Sequence, residues 1–322
     1  MNITVIGHIC RDTILRPGEE KPGTTQYGGI AYTVAALAGL MGKNDAIYPV
    51  FGVGEEDYDA VCGMLSAFEC VSTEGVFRVK SRMNEVTLAY KEPDTPRFEC
   101  SEHIAEPIPF AKIKPFLDAD GVLVNMISGS DISLETLDQV RMTVRDARVP
   151  VHFDFHSLTL GIQNKGKRFR RPLTDWRRWA FFLHSVQMSE EEAQGLSSER
   201  YDETTLINQL MPLMVNVLII TRGARGATLI VQDQHKRLTR TEIAGISGEV
   251  VDTTGCGDVF GAVYLRTFVQ SKDPVASART ANTIAGLHAT LPVAGKTASL
   301  FSRLREMVDI PPSDAAASTV GA

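Results

Sequence analysis

The sequence predicts an α/β fold, a three-layer α/β/α arrangement in which a mostly parallel sheet is covered on both faces by helices. Three observations carry this expectation. Short runs of β-branched and apolar residues alternate with amphipathic stretches of roughly ten or more residues, most regularly from Gly121 onward. The 322 residues, 43% hydrophobic and 22% charged, suit one large globular unit and argue against a disordered, collagenous or coiled-coil chain. The run from Val250 to Ala262 carries β-branched residues into a Thr-Thr-Gly-Cys-Gly turn and then a helix, with Phe260, Val263, Tyr264 and Phe268 at helical spacing.

Taken in order, Ile3–Gly7 reads as a buried first strand whose carboxyl end leads to Asp12, the place where open α/β sheets hold ligands. The Pro and Gly residues from Pro17 to Gly23 predict an exposed excursion that returns at Gly28-Gly29. A helix of small residues follows over Ile30–Leu40, and a glycine pair at its start lets a ligand approach the main chain. Ala46–Val53 predicts a strand and Tyr58–Phe68 a helix with Val61, Met64, Leu65 and Phe68 on one face. Gly75–Val79 and Glu85–Tyr90 read as short strands with no helix between them. With the excursion after Asp12 they predict a small sheet standing off the main body, spanning about 9–28 and 75–104. That sheet reads as a lid or, equally, as a dimerisation surface.

Beyond Gly121 the pattern gives strand Val122–Met126, helix Ser133–Ala147, strand Val151–Phe155, a helix near Trp176–Phe182 and a strand near Val186. Helix Thr204–Met214, strand Val217–Thr221 and a hairpin over Ala227–Val231 and Lys236–Ile243 follow. Helices over Asp258–Val269, Pro274–Ala289 and about Ala298–Val308 end the pattern. No linker or internal repeat divides the chain, so 1–309 is expected to be one domain, and the Pro-, Ser- and Ala-rich 310–322 a frayed tail.

Charge and cysteines narrow the class. A net charge of −6 disfavours a nucleic-acid partner unless a local basic patch supplies one. The five scattered cysteines lack C-x-x-C spacing, which predicts reduced thiols and neither a disulfide framework nor a zinc site. No signal peptide or long apolar span is read, so a cytoplasmic protein without a membrane partner is expected.

The chemistry concentrates at the glycine turn. A helix start leaves backbone N–H groups unpaired and carries roughly half a positive charge, so it attracts an anion. Asp258 sits at that start, placed either to cap the helix or to touch whatever the amides hold. Other patterns are weaker. Gly295-Lys296-Thr297 resembles the end of a P-loop, yet Thr290 stands where the first glycine belongs. His152, Asp154 and His156 alternate along one strand as metal ligands would, but no fourth ligand offers itself, and a strand end with one ligand-facing carboxylate is the plainer reading. The basic cluster Lys165–Arg171, with Arg177 and Arg178, reads as a solvated loop, a nucleic-acid contact or an arginine fork for a ligand anion.

These residues make the chain resemble the ribokinase-like sugar kinases, the PfkB family, over nearly its whole length. Asp12 after a strand, Gly28-Gly29 opening a helix, Thr221-Arg222-Gly223-Ala224-Arg225-Gly226 after a strand, and Asp252-Thr253-Thr254-Gly255-Cys256-Gly257-Asp258 follow the family's order. The resemblance implies a Rossmann-like ribokinase fold with a small β-sheet lid, and ATP- and Mg2+-dependent phosphorylation of a hydroxyl on a sugar-like molecule. It implies Asp258 as general base and the amides of Gly255, Cys256 and Gly257 as an anion hole, which agrees with the reading of the turn itself. It further implies substrate contacts from Asp12, Gly28, Gly29 and Thr33, and nucleotide contacts from Thr221, Gly223, Gly226 and Asn282. Glu192 is implied as the magnesium residue, acting through water, and Asp252 as a candidate for K+. A homodimer through the lid sheet is the alternative expectation from the same strands.

Three departures stand out. Thr33 and Ser189 occupy positions where relatives carry asparagine, and His156–Arg178 is longer than the corresponding family segment. A nucleoside kinase of the same fold, with Tyr27, Tyr32 or Tyr90 as stacking residues, and a catalytically silent ligand-binding relative are the competing expectations.

Overall fold

The computed structural model describes residues 1–15, 25–89, 98–292 and 294–309. The excursion expected over Pro17–Gly23, Tyr90 and the tail 310–322 lie outside the described residues.

The chain opens with β1 (Asn2–Ile6), β2 (Ile9–Leu15) and β3 (Thr25–Gly29), followed by α1 (Ile30–Leu40), β4 (Ala46–Gly54) and α2 (Glu55–Ser66). Next come β5 (Val76–Val79), β6 (Asn84–Ala89), β7 (Phe98–Glu102), the single turn α3 (Phe110–Ile113), β8 (Gly121–Asn125), α4 (Leu134–Val144) and β9 (Val151–Asp154). The hairpin β10 (Leu160–Ile162) and β11 (Arg168–Arg170) precedes α5 (Trp176–Ala180), β12 (Ser185–Ser189), α6 (Glu190–Gly195) and α7 (Glu203–Leu210). The chain closes with β13 (Val217–Thr221), β14 (Gly226–Gln232), β15 (Leu238–Ala244), α8 (Cys256–Ser271), α9 (Pro274–Ala289) and α10 (Lys296–Asp309).

Among the described residues the main sheet has nine strands in the order β15-β14-β13-β12-β9-β8-β1-β4-β5. From β13 to β5 neighbouring strands pair in parallel, while β14 and β15 form an antiparallel margin. The central strands read as unbroken apolar runs because both faces are covered: β8 and β9 are buried along their whole length. Chain order reverses at β1, which lies between β8 and β4, the topological switch point beyond whose carboxyl strand ends open α/β sheets hold ligands.

The helices follow their local chemistry. Ser133 caps α4 by accepting from the Thr136 amide at 3.1 Å, and Leu137, Val140 and Val144 form its buried stripe. Asp273 caps α9, with Pro274 at the first helical position. Helix α1 carries small residues on every side and is buried from Ile30 to Gly39. A Cβ added at Gly39 would stand 2.7 Å from the Leu304 side chain of α10, so the glycine permits that close packing. Helix α2 begins at Glu55, three residues before the expected start, because Glu55, Glu56 and Asp57 suit the positive end of a helix.

The small sheet has the order β3-β2-β6-β7 among the described residues. Its membership corrects one expectation: Gly75–Val79 does not join it. That segment supplies β5, which pairs in parallel with β4 and edges the main sheet. A four-residue strand in which only Val76 is buried is equally suited to either sheet, and only its partner decides. The segment after His156 is also more ordered than the expected loop. Its β10–β11 hairpin leans on the small sheet through a bridge between Lys167 and Cys100. No helix among the described residues is long and apolar enough to cross a membrane.

Candidate active site

The glycine turn before α8 has the geometry its residues demand. Gly255 lies at φ +83°, in the left-handed region, and a Cβ there would meet the Tyr32 ring at 2.6 Å. Among the described residues the amides of Gly255 and Gly257 donate no hydrogen bond, whereas the Cys256 amide closes the turn onto the Thr253 carbonyl at 3.2 Å. The expected trio of amides is therefore reduced to the two glycines. In this compact turn the middle amide is consumed by the bend that presents its neighbours.

Asp258 lies in the first turn of α8 and is only 5% exposed. It is aimed by a row of polar side chains at the strand ends. Asn125, Asp154 and Gln187 stand in register across β8, β9 and β12. Asn125 Nδ2 donates to Asp258 Oδ1 at 2.6 Å, and Gln187 Nε2 donates to the Gly257 carbonyl at 2.9 Å and to Asp154 Oδ2 at 3.1 Å. His156 Nε2 lies 3.9 Å from Asp258 Oδ1. Burial pushes the Asp154 carboxyl well above the usual carboxylate range, and the charges of Glu192 and Asp258 add to the shift. Asn125 and Gln187 escaped the sequence reading, although a polar residue inside the apolar runs Gly121–Asn125 and Ser185–Ser189 was the available signal.

Asp12, on β2, approaches the same region from the small sheet and is buried. Its Oδ1 accepts from the Cys10 thiol at 3.1 Å, and its Oδ2 from the Tyr32 hydroxyl at 3.4 Å. Gly28 is required beside it, since a Cβ there would collide with the carboxylate. Gly29 takes φ +62° to turn the chain from β3 into α1. Tyr32 joins the two halves. Its hydroxyl reaches Asp12, and its ring packs against Gly255 and lies edge-on to His288 at 5.5 Å. Burial first, then the neighbouring Asp12, drives the Tyr32 phenol well above its ordinary range, so it stays a neutral donor. Thr33, expected to face a substrate, is fully buried, and its hydroxyl has no partner among the described residues.

At the opposite side, Thr221 ends β13 and leads into a turn in which Gly223 and Gly226 adopt φ +57° and +93°. A Cβ at Gly226 would strike the Ile243 carbonyl, whereas one at Gly223 would meet open space. Gly223 thus leaves room for a ligand, and Gly226 serves the packing of β14 on β15. Arg222 is held by Glu190 and Glu203. Asn282 Nδ2 donates to the Ala244 carbonyl at 2.9 Å, tying α9 to β15. Ser189 and Glu192 form a reciprocal cap on α6: Ser189 N donates to Glu192 Oε2 at 2.8 Å, and Glu192 N to Ser189 Oγ at 3.2 Å. The other Glu192 oxygen lies 3.5 Å from Arg170 Nη1. Burial raises the Glu192 pKa against the opposing pull of Arg170.

Residues 175–298 match the family model described as pfkB family carbohydrate kinase. A ribokinase from Thermotoga maritima superposes with a TM-score of 0.70 at 16% identity, over 94% of this chain and 99% of that one. The chain has the ribokinase fold. A ribokinase from Arabidopsis thaliana complexed with ribose and ATP shares that fold at 20% identity, with TM-score 0.67 over 93% of this chain and 98% of that one. So does a pyrophosphate-dependent kinase in the ribokinase family, complexed with a pyrophosphate analog and myo-inositol, at 18% identity and TM-score 0.69 over 93% and 99% of the two chains. Curated proteins yield no match.

Within this ribokinase fold the expectations for the basic cluster and for Asp252 are revised, and the weaker metal reading of His152, Asp154 and His156 gains no support. His152, Asp154 and His156 do not converge as ligands. His152 is buried with Nδ1 2.8 Å from Ser185 Oγ, and burial lowers its pKa to about 3, while His156 turns away at φ +37° toward Asp258. The basic cluster is largely engaged internally. Arg168 donates to Ser101 Oγ at 2.9 Å and to the Ser128 carbonyl at 2.7 Å, Arg170 contacts Glu191 and Glu192, and Arg178 pairs with Asp138. Asp252, the candidate for K+, instead receives the ammonium of Lys296.

Proposed function

We propose that the protein is an ATP-dependent kinase that phosphorylates a hydroxyl of a small sugar-like substrate. The observation that carries this reading is the joint placement of Asp258 and the Gly255–Gly257 turn. A buried carboxylate, fixed by Asn125 at 2.6 Å, adjoins two glycine amides that have no partner among the described residues. Phosphoryl transfer requires positioning and stabilisation of spread charge more than covalent chemistry. Asp258 takes the proton of the acceptor hydroxyl as its oxygen bonds to the γ-phosphorus and the bond from that phosphorus to the departing ADP breaks, and the amides hold charge on the transferred group. Asp12 suits a pair of acceptor hydroxyls, with Gly28 and Gly29 leaving room for the ring. The small sheet carrying Asp12 acts as a lid that keeps water from the donor phosphate.

The open space at Gly223 fits a nucleotide approaching the Thr221–Gly226 turn. Asn282 then contributes by holding β15 beside that turn. Glu192 and Asp154 fit a magnesium ion, because a half-buried and a buried carboxylate whose pKa values are raised by desolvation, and for Asp154 also by its acidic neighbours, would be relieved by a divalent cation. Such an ion supplies neutralisation of the donor phosphates. Arg170 would turn from Glu192 toward donor or substrate oxygens.

A screen of sugars, sugar acids and nucleosides, each with ATP or pyrophosphate and Mg2+, tests this reading by product formation in 31P NMR. Turnover of a sugar-like acceptor with ATP supports it. Turnover with pyrophosphate alone revises the donor, a nucleoside preference revises the acceptor, and no turnover with any pair favours a ligand-binding protein.

A further inference from the structure

Lys296 opens α10 and is 0% exposed, among the largest fully buried side chains of the molecule. A buried ammonium needs every proton satisfied, and this one has three acceptors for its three donors. Lys296 Nζ donates to the Asp252 carbonyl at 2.7 Å, to Asp252 Oδ2 at 2.7 Å and to the Thr254 carbonyl at 3.2 Å. The cage is all oxygen, one carboxylate and two carbonyls, which is the donor set a hard cation takes. All of it belongs to the segment that delivers the chain into Gly255.

The rest of that segment is fixed around the same charge. Asp252 Oδ1 accepts from the Thr254 hydroxyl at 2.9 Å and from the Thr254 amide at 3.3 Å. His288 Nε2 lies 2.9 Å from the Thr254 carbonyl, and its other ring nitrogen has no partner among the described residues. Nε2 is therefore the protonated nitrogen of a neutral ring. The Lys296 ammonium thus sits between the turn and the C-terminal helix as the one fixed positive charge bonded to Asp252 among the described residues.

We infer that Lys296 is a covalently attached replacement for a monovalent cation at the phosphate-binding turn, so that the turn is ordered without K+. The disagreement with the expected K+ at Asp252 is physical, because the Asp252 and Thr254 oxygens are occupied by Nζ. Lys296 is a positioning residue: it acts on the Gly255 and Gly257 amides through Asp252 and Thr254 and touches no reacting atom. The inference rests on the proposed role of that turn for its catalytic consequence, but the cation chemistry can be read without any substrate.

The test compares full-length wild type with Lys296→Ala and Lys296→Met in tetramethylammonium buffer of constant ionic strength, titrated with KCl, NaCl or ethylammonium chloride. The first readout is the melting temperature, the second ATP affinity by calorimetry. Wild type should show no K+-specific rise in Tm and no change in ATP affinity between K+ and Na+. The variants should lose about tenfold or more in ATP affinity, as expected on removing one partner of a buried ion pair. They should recover it with K+ or ethylammonium, with a matching Tm rise because the ion binds only the folded state. A merely structural lysine would give no such ion-selective recovery. K+-specific stabilisation of wild type, or variants insensitive to added cations, would overturn the inference. If the variants do not fold, the wild-type titration still decides. Cation-insensitive melting of wild type with K+-selective recovery of Tm in the variants, combined with no kinase activity on any acceptor, would remove the kinase reading and leave this one standing.

Discussion

Gly255 and Gly28 are two positions where a single methyl group would disturb the candidate site directly. At Gly255 an alanine must adopt φ +83° while its Cβ stands 2.6 Å from the Tyr32 ring. Left-handed strain alone costs about 1–3 kcal/mol, and relief of the clash would rotate the amides away from their present direction. Gly255→Ala is therefore expected to lower kcat by roughly tenfold or more while lowering Tm only modestly, read by steady-state kinetics and thermal melts. At Gly28 the added Cβ would displace the Asp12 carboxylate. Gly28→Ala should raise the KM of the acceptor and leave that of the donor near its wild-type value. Both glycines were legible in the sequence, because a glycine before a helix advertises close approach. Asn125, Gln187 and Lys296 were not. Their importance arises from partners 133, 70 and 44 residues away along the chain, a pairing that local pattern does not encode.

At the scale of the element, α6 shows how a departure from a family pattern can be locally sound. Ser189 ends β12 and caps the helix through the Glu192 amide, while Glu192 returns a carboxylate oxygen to the Ser189 amide. The Ser-x-x-Glu signature was present in the sequence, yet the helix was not expected, because no apolar stripe follows within Glu190–Gly195. Removing the hydroxyl in Ser189→Ala should cost about 1 kcal/mol, which for a chain of this size corresponds to a Tm fall of about 2 °C or less. If Glu192 serves magnesium, the same variant should also raise the Mg2+ concentration needed for half-maximal activity, because the cap no longer fixes the carboxylate. The β5 segment gives the converse lesson. Its strand character was legible, but its sheet was not, since four residues carry too little alternation to specify a partner.

The whole molecule is built on a mostly parallel sheet, with Asn125, Asp154 and Gln187 at the carboxyl ends of its strands beside Asp258. The sheet was readable from the alternation of strands and helices and from the order of the glycine motifs. The direction of the small sheet's strands and the β10–β11 hairpin that leans on it depended on tertiary contacts such as the Lys167–Cys100 bridge. Burial of titratable side chains sets a global pH response. Burial lowers the His184 pKa to about 4 and the His288 pKa to about 3, both below an unfolded value of about 6.5. The unfolded chain therefore binds these protons first, and the stability they contribute is complete above about pH 6.5 and declines as pH falls toward 4. The slope should be on the order of 1 kcal/mol per pH unit for each histidine. Asp154 and Glu192, whose pKa values are raised, act in the opposite sense, losing their contribution as pH rises through the folded values. Comparing wild type with His184→Phe by urea denaturation at pH 7.5, 6 and 5 isolates one histidine, and the variant should show the shallower loss in acid.

The central claim is that Asp258 accepts the proton of the acceptor hydroxyl. Replacing it with asparagine keeps the shape and the proximity to Asn125 while removing the base. With the best acceptor from the screen, Asp258→Asn should lower kcat by about 10²–10⁴-fold, with ATP affinity by calorimetry close to that of wild type. Turnover undiminished in Asp258→Asn, with the same phosphorylated product, would contradict the account.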